Sequence, residues 1–284
     1  MSSITSIARL LPTIAEAGQL ARHYYRRGDR LGTRLKADRS VVTAADTAVE
    51  ALLRQAIGDC FPGVNILGEE GGPLTWPPPA TVSAEGGGAV YDPQQPYTFV
   101  IDPIDGTLSF ACGTPGWAIC VGVLDSTLQP VAGIISAPSW DGLFVADLDP
   151  QSPATYNGTP LAVAATPKPI DNNTTILIDS RFLQTHQVRG FPGKCRSFGS
   201  TALHMCLVAQ QSGFALAHSC PVHIWDIAAA HAIVARVGLS VQYLDGQAVT
   251  YRPLVTGQPT RGHLLTGHPA MLTALGPRLV PLAS

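Results

Sequence analysis

Residues 102–107 read Asp102-Pro103-Ile104-Asp105-Gly106-Thr107 and follow the apolar run Tyr97 to Ile101, which predicts a buried strand. Two carboxylates therefore lie three residues apart beyond a strand end, with a proline that restricts the backbone between them and a glycine that permits a sharp turn. Carboxylates held close together repel, and one takes up a proton unless a cation neutralises the pair. Oxygen ligands, including the carbonyl of Ile104, favour a hard ion such as Mg²⁺ or Mn²⁺. On spacing alone, such a segment is more often a solvated turn.

Acidic residues also occur at two other positions that border predicted elements. Glu69 and Glu70 follow a predicted strand over Val64 to Leu67. Asp226 lies in His223-Ile224-Trp225-Asp226-Ile227, at the start of an apolar helix. Taken separately, the glutamates favour an exposed acidic loop and the aspartate a helix N-cap. A cap and a metal ligand are compatible, because one carboxylate oxygen can cap the helix while the other binds an ion.

The rest of the chain predicts helices and strands in mixed layers. Apolar residues at helical spacing predict helices from Ile4 to Ala21 and from Val49 to Ile57. Short apolar runs predict an antiparallel sheet from Ala118 to Leu124, Val131 to Ser136 and Leu143 to Leu148. Later strands are predicted at Thr175 to Ile178, Gly213 to Ala217, Val241 to Leu244 and His263 to Thr266, and later helices at Thr201 to Gln211 and Ile227 to Val237.

The domain organisation follows from the absence of repeats and of an obvious linker. We expect one α/β domain over residues 1–284, with an N-terminal α+β half (about 1–150) and a C-terminal α/β half (about 151–284). The segment from Pro73 to Pro96 is rich in proline and glycine, which predicts a surface excursion.

Charge and composition argue against several classes of protein. Eighteen basic and twenty acidic residues give a net charge of -2 without a long block of either sign, so nucleic acid and anionic membranes are not expected partners. The N-terminal segment lacks the pattern of a signal peptide, and no apolar stretch of the sequence is long enough to span a bilayer. The six cysteines form no Cys-x-x-Cys pair, which indicates reduced thiols in a cytoplasmic protein. Asn157-Gly158 then predicts a tight hairpin turn rather than a glycosylation site.

Five motifs, in this order, resemble those of the inositol monophosphatase-like phosphatases, and together they outweigh the separate structural interpretations. They cover about residues 36 to 240 and read Val42-Thr43-Ala44-Ala45-Asp46, Gly68-Glu69-Glu70, Asp102-Pro103-Ile104-Asp105-Gly106-Thr107, Arg196-Ser197-Phe198-Gly199-Ser200-Thr201-Ala202 and Trp225-Asp226-Ile227-Ala228. The resemblance implies a five-layer α-β-α-β-α sandwich. It also implies a Mg²⁺-dependent, Li⁺-sensitive phosphatase, commonly a homodimer, that acts on a small phosphorylated metabolite.

The resemblance also implies which residues would hold two or three Mg²⁺ ions, with Mn²⁺ as an alternative. Glu69, Asp102 and the Ile104 carbonyl would hold the first ion. Asp102, Asp105 and Asp226 would hold the second. Asp46 and Glu69 would place a third, looser ion through water.

The catalytic and substrate-binding residues are implied in the same way. Thr107, with Glu69 nearby, would orient a metal-activated water for in-line attack, so Glu69, Thr107 and Asp46 form the expected catalytic set. The expected substrate-binding set is Asp105, Gly106, Thr107, Gly199, Ser200, Thr201 and Ser219.

The sequence departs from the family where the substrate would be selected. Members that act on inositol phosphates usually carry an acidic residue seven positions before the last metal aspartate, where this chain has Ser219. The position that is often asparagine is Ser109, and Arg236 to Leu239 replaces the usual Glu-Ala-Gly-Gly. Histidinol phosphate, a sugar bisphosphate or a nucleotide 3′-phosphate therefore stays open, although the lysine of nucleotide-specific relatives is Leu108 here.

Other interpretations stay open beside the leading one. One alternative belongs to another class of protein, namely a non-catalytic regulatory or binding protein with the same fold. A sugar bisphosphatase would need a basic site for its distal phosphate, and the candidates are Arg181, Arg189, Lys194 and Arg196. The spacings of His218, His223 and His231 fit no zinc site, so we expect them to pack or to line the edge of the substrate.

Overall fold

The computed structural model describes residues 6–25, 34–35, 41–42, 44–71, 91–163, 165–211 and 214–282. The predicted proline-rich excursion lies outside these ranges up to residue 90, and so does Thr43 of the first motif. The elements of the first part of the chain are α1 (Leu11–Tyr24), β1 (Arg34–Leu35), β2 (Val41–Val42), α2 (Ala44–Cys60), β3 (Asn65–Gly68), β4 (Tyr97–Asp105), α3 (Thr107–Ala111), β5 (Ala118–Asp125), β6 (Pro130–Ala137), β7 (Gly142–Ala146), β8 (Thr155–Tyr156) and β9 (Thr159–Pro160).

The second part of the chain continues in the same alternation. Its elements are β10 (Thr175–Ile178), α4 (Phe182–Thr185), β11 (His186–Val188), β12 (Lys194–Arg196), α5 (Thr201–Ala209), β13 (Phe214–Ser219), α6 (Ala228–Arg236), β14 (Ser240–Tyr243), α7 (Arg252–Val255), β15 (Leu264–Gly267), α8 (Pro269–Leu275) and β16 (Leu279–Pro281).

The first sheet has the strand order β3-β4-β5-β6-β7-β8-β9 and is antiparallel except for the parallel pair β3 and β4. Successive side chains of a strand point to opposite faces. Phe99 and Ile101 therefore pack against the apolar faces of α1 and α2, whereas Val100 between them packs into a core shared with α5 and α6. Both faces of this sheet are covered by helices.

The second sheet has the order β12-β10-β13-β15-β14, and its first three strands are parallel. One face contributes Leu177 and Ala217 to the core shared with α5 and α6, and the other contributes Ile176 and Ile178 to a core with α4 and α8. The layers are therefore α1 and α2, the first sheet, α5 and α6, the second sheet, and α4 with α8. The predicted five-layer α-β-α-β-α architecture is confirmed.

Strand β4 differs from its prediction in a way that matters for the site. It continues through the two aspartates to Asp105 instead of ending at Ile101, and its pairing with β5 shifts register between Asp102 and Asp105. The irregularity arises where Pro103 removes a backbone donor from the ladder. Both carboxylates therefore lie within the paired strand β4 and not in the loop that follows it.

Asn157-Gly158 forms the predicted tight turn between β8 and β9. Both residues have positive φ angles, 48° and 77°, as a two-residue hairpin of the favoured twist requires. The Asn157 side chain also accepts a hydrogen bond from the Leu143 N–H at 2.8 Å. Among the described helices, none combines the length and the apolar character that crossing a membrane requires.

Arg236, the first residue of the segment that departs from the family, joins α6 to the first sheet. Its guanidinium donates hydrogen bonds to four backbone carbonyls at 2.6–3.2 Å, which belong to Val131, Asp147, Asp149 and Ser152. A planar guanidinium with five N–H donors is suited to such a set of acceptors. The departure therefore has a structural role at the end of α6 distant from Asp226.

Candidate active site

Three carboxylates meet between the carboxyl end of β4 and the segment that leads into α6. Asp102 and Asp105 lie on β4, Asp226 precedes α6, and each offers an oxygen that lies within 4.8 Å of the others. Burial raises the pKa of Asp102 well above its usual value, and the negative charges of Glu69, Asp105, Asp226 and Asp46 raise it further. The structure thus brings Asp102, Asp105 and Asp226 together, and the negative charge of Glu69 acts on the same cluster.

Asp102 carries the clearest sign that the cluster suits a cation. It is 1% exposed, and its Oδ1 atom has no hydrogen-bond donor among the described residues. A buried carboxylate oxygen without a partner is strongly disfavoured, and several negative charges nearby increase that cost. A hard divalent ion would satisfy the oxygen and neutralise its neighbours, so the donor set fits Mg²⁺ or a similar ion.

Asp105 is positioned by the start of α5. Its Oδ2 atom accepts hydrogen bonds from the Ser200 hydroxyl at 2.5 Å and from the Ala202 N–H at 2.7 Å. The Ser200 hydroxyl also accepts from the Leu203 N–H at 3.1 Å and therefore caps the helix. Burial raises the pKa of Asp105 to about 6 despite these hydrogen bonds. A carboxylate of the first sheet is thus fixed by a helix of the second half.

Asp226 takes a different position from the helix cap that its sequence context favours. Its Oδ2 atom accepts the His223 N–H at 2.7 Å and closes the turn before the helix. Ile227 is the N-cap of α6, and no side chain of the described residues caps it. The cap interpretation of Asp226 is therefore wrong, because its carboxylate binds an N–H group that precedes it in the chain, and Ile227 separates it from the first helical residue.

Thr107 and Asp46 approach each other beside β4. The Thr107 hydroxyl donates to the Ile104 carbonyl at 3.0 Å and lies 3.4 Å from Asp46 Oδ1. Asp46 is buried in the first turn of α2. Gly106, with φ +89°, turns the chain from β4 into α3. The predicted metal ligand Ile104 and the predicted catalytic residues Asp46 and Thr107 are therefore neighbours.

Glu50 supports the loop that carries Glu69, and sequence analysis missed it. Its carboxylate accepts the N–H groups of Glu70 at 2.7 Å and Gly71 at 2.8 Å, and Arg54 donates to it at 2.7 Å. A Cβ atom on Gly68 would lie 2.3 Å from Glu50 Oε1, so a side chain at this position would displace the Glu50 carboxylate. The only signal in the sequence is the Glu50–Arg54 spacing, which resembles an ordinary surface pair.

We expect Glu50→Gln to weaken the binding of Mg²⁺ at the acidic cluster about 10-fold, because a neutral amide replaces a carboxylate that fixes two backbone donors. The free energy of unfolding should fall by about 1–3 kcal/mol. Calorimetric titration with Mg²⁺ and urea unfolding would measure both effects. Glu16→Gln, at an exposed position of α1, is the matched control. Unchanged Mg²⁺ affinity in Glu50→Gln would contradict this role.

Two glycines allow the loop after α3 to touch the segment before α5. A Cβ atom on Gly116 would lie 1.4 Å from the Phe198 carbonyl oxygen, and one on Gly199 would lie 2.0 Å from Ser109 Oγ. Gly199 also has φ +98°. Among the remaining predicted substrate residues, Thr201 lies at the start of α5 and Ser219 is buried at the carboxyl end of β13. The absence of side chains at Gly116 and Gly199 thus lets the segment before α5 approach α3 and the loop that follows it.

The histidines near Asp226 in sequence differ in their surroundings. His218 is buried against Phe182 and is near His263, with ring centroids 5.1 Å apart. His231 exchanges a hydrogen bond with the Tyr251 hydroxyl at 2.9 Å. His223 stacks on Trp225 with centroids 4.8 Å apart. All three pack against aromatic or histidine rings.

Two of these buried histidines should each remove stability from the folded state in acid. Burial lowers the pKa of His231 to about 4 and that of His218 to about 3, whereas an unfolded histidine titrates near 6.5. Below pH 6.5 the unfolded chain binds protons that these two folded histidines do not, so their contribution to stability falls as the pH falls, whereas the raised pKa values of the buried aspartates act in the opposite direction. The loss is about 2 kcal/mol per buried histidine at pH 5.

A substitution separates this effect from other acid-induced changes. In urea unfolding at pH 7.5 and pH 5, His231→Gln should lose about 2 kcal/mol less between the two pH values than the wild type. His23→Gln, at an exposed position of α1, is the control and should lose as much as the wild type. Equal losses in His231→Gln and wild type would show that His231 does not contribute.

The comparisons with known proteins agree with the site. The sequence profile described as "Inositol monophosphatase family" matches residues 2–271. A histidinol-phosphatase of Mycobacterium tuberculosis is 29% identical over 228 residues, which cover 75% of this chain and 78% of the relative. An inositol-1-monophosphatase of Mycobacterium leprae is 32% identical over 220 residues, which cover 71% of this chain and 67% of the relative.

Solved structures with the same fold extend the likeness to nearly the whole chain. The extragenic suppressor protein suhB of Bartonella henselae has a TM-score of 0.74 and 21% identity, and the match covers 96% of this chain and 97% of that one. The IMPase of Thermotoga maritima has a TM-score of 0.73 and 19% identity, and the match covers 94% and 93%. The profile match carries the assignment of family, and these structures carry the fold. The chain therefore belongs to the inositol monophosphatase family.

Proposed function

We propose that this protein hydrolyses a small phosphate monoester with two or three Mg²⁺ ions held by the acidic cluster, Mn²⁺ being an alternative ion. Phosphatases of its family are hydrolases that act on phosphate monoesters. The observation that carries the metal-dependent mechanism is the unpartnered, buried Oδ1 atom of Asp102 among neighbouring carboxylates. A cation would neutralise such a cluster, whose carboxylates otherwise repel one another and take up protons.

The ligands divide between ions as follows. Glu69, Asp102 and the Ile104 carbonyl would hold the first ion, and Asp102, Asp105 and Asp226 the second. Asp46 and Glu69 would place a third through water. When bound, the ions supply charge neutralisation of the phosphate, a lowered pKa for water and stabilisation of the leaving oxygen.

The side chains of the protein would orient the reacting groups. Thr107 would hold the attacking water together with Glu69, since its hydroxyl is already directed between the Ile104 carbonyl and Asp46. The N–H groups of Gly106 and Thr107, where the chain turns out of β4, would bind phosphate oxygens. Asp105 and the segment Gly199 to Thr201 would contact the rest of the substrate. Ser219, buried at the carboxyl end of β13, would contribute to the same binding site.

Several further properties belong to the same proposal. Li⁺ would inhibit turnover, the protein would act as a cytoplasmic homodimer, and neither nucleic acid nor membrane would be a partner. Residues 1–284 would act as one domain, because Asp105 of the N-terminal half is hydrogen-bonded by Ser200 and Ala202 of the C-terminal half.

The test is release of inorganic phosphate from inositol, histidinol, sugar and nucleotide phosphates with Mg²⁺, and again with Li⁺ added. We expect turnover that requires Mg²⁺ and falls about 100-fold in Thr107→Val, because the variant keeps the shape but loses the hydroxyl that positions water. Thr273→Val removes an exposed hydroxyl on α8 and should leave turnover unchanged. Mg²⁺ binding without phosphate release from any ester would favour a non-catalytic binding protein instead.

A further inference from the structure

Three parallel strands direct their following segments to one edge of the second sheet. Strand β10 lies between β12 and β13, with Leu177 opposite Arg196 and Ile178 opposite His218. The segment after β12 leads to Ser200, which binds Asp105, and the segment after β13 leads to Asp226. The segment after β10 therefore lies between the segments after β12 and β13, which contact or contribute to the acidic cluster. This edge, at the carboxyl ends of the strands, is where α/β sheets bind their ligands.

That middle segment carries a charged pair, Asp179 and Arg181. The Asp179 N–H donates to the His218 carbonyl at 3.0 Å, which fixes the segment to β13. The Asp179 carboxylate accepts the Arg181 N–H at 2.8 Å and its Nε at 3.3 Å. The aspartate side chain is 14% exposed and the arginine side chain 58% exposed. The pair therefore presents its guanidinium, not its carboxylate, to solvent.

The outer nitrogen atoms of this guanidinium are available to a ligand. Within the part of the chain that the structure describes, Arg181 Nε bonds to Asp179 and neither Nη atom has an acceptor. Burial raises the pKa of Asp226, and the positive charge of Arg181 counteracts that rise. The guanidinium thus lies close enough to the acidic cluster to act on it electrostatically.

The other basic residues of this region are placed less well. Lys194 is the first residue of β12 and therefore lies at the opposite edge of the sheet, and Arg189 follows β11, which pairs with β16 outside this sheet. Arg196 lies at the correct edge, but its Nη1 atom donates to the Cys195 carbonyl at 2.9 Å. Arg181 is therefore the candidate that combines the correct edge with free outer donors.

We propose that Arg181 binds a second anionic group of the substrate, a carboxylate or a second phosphate, while the metal centre binds the phosphate that is hydrolysed. The inference rests on the proposed phosphatase function and specifies its substrate class. A guanidinium matches the geometry of carboxylate and phosphate oxygens and forms paired hydrogen bonds with them. The anchoring by Asp179 holds the side chain in place, so less rotamer freedom is lost when an anion binds.

The experiment compares esters that differ only in the second group. The pairs are 3-phosphoglycerate with glycerol 3-phosphate, and fructose 1,6-bisphosphate with fructose 6-phosphate. We expect the wild type to prefer the more anionic member of at least one pair. Arg181→Ala should lower kcat/KM for that member about 10- to 100-fold, mainly by raising KM, and leave the less anionic member within about twofold. Arg181→Lys should recover part of the loss.

Matched variants and outcomes separate the two proposals. Arg189→Ala removes an exposed arginine that follows β11, outside the second sheet, and should change the turnover of neither ester of a pair. The assignment of Arg181 would be overturned, while phosphatase activity stands, if the wild type used both esters of a pair equally or hydrolysed polyol monophosphates alone. It would also be overturned if Arg181→Ala lowered kcat/KM equally for both esters, or if only Arg196→Ala lowered it. No Mg²⁺-dependent turnover of any ester by the wild type would instead remove the proposed function, and this inference with it.

Discussion

Replacing Asp102 with asparagine is expected to lower Mg²⁺-dependent phosphate release by about 1,000-fold or more and to stabilise the metal-free protein. The loss of activity is expected because this carboxylate is proposed to contact two ions. The gain in stability is expected because Asp102 Oδ1 is buried without a donor and is surrounded by Glu69, Asp105, Asp226 and Asp46. Removing one charge relieves that repulsion, which should be worth on the order of 1–3 kcal/mol.

Thermal unfolding with EDTA and with excess Mg²⁺ measures the second effect. The wild type should be stabilised strongly by Mg²⁺, whereas Asp102→Asn should unfold at a higher temperature than wild type in EDTA and gain little from Mg²⁺. Asp59→Asn makes the same chemical change at an exposed position of α2 and should match the wild type in both media. If Asp102→Asn is no more stable than wild type in EDTA, the carboxylates do not repel in the metal-free protein.

Replacing Gly116 with alanine is expected to destabilise the protein by about 3 kcal/mol or more. The added methyl group would lie 1.4 Å from the Phe198 carbonyl oxygen and 2.6 Å from its carbonyl carbon. These are backbone atoms, so no side-chain rotation removes the clash. The segment that leads to Ser200 must move, and the Ser200 hydroxyl would then be displaced from Asp105. Activity should fall together with stability.

The chain contains a matched control for this substitution. Gly58 lies in α2, where an added Cβ atom would meet nothing within 4 Å. Gly58→Ala should therefore raise the free energy of unfolding by about 0.5–1 kcal/mol, since alanine favours the helix. Urea unfolding should show a loss of stability in Gly116→Ala and a gain in Gly58→Ala, and phosphate release should fall only in Gly116→Ala. A Gly116→Ala variant as stable as the wild type would show that the loop and the Phe198 segment separate easily.

The acidic cluster could be predicted from sequence because its residues lie in short motifs with a recognisable order. Asp102 and Asp105 share one strand, and Asp226 adjoins an apolar helix whose pattern is clear. The layered fold followed from the same resemblance and from alternating apolar runs. The strands β11, β12 and β16 were not predicted, because three-residue strands carry too little pattern to distinguish them from loops.

Residues that act through tertiary contacts could not be found from sequence. Glu50 has the spacing of an ordinary helical pair with Arg54, and its contact with the loop at Glu70 depends on how α2 packs beside β3. The position of Arg181 relative to Asp226 depends on the order of parallel strands. Four basic residues were equal candidates until that order separated them. Strand order is set by packing over the whole sheet, which local patterns do not contain.

The close placement of Asp102 and Asp105 on one irregular strand has a consequence for how such proteins diverge. Asp102 and Asp105 belong to the first sheet, whereas the segment after β10 that carries Arg181 belongs to the second and holds none of the proposed metal ligands. Under the proposed function, mutations in that segment would alter which molecule is accepted while β4 keeps its ligands. A lineage with this architecture would then change its substrate in small steps while the metal site stays intact.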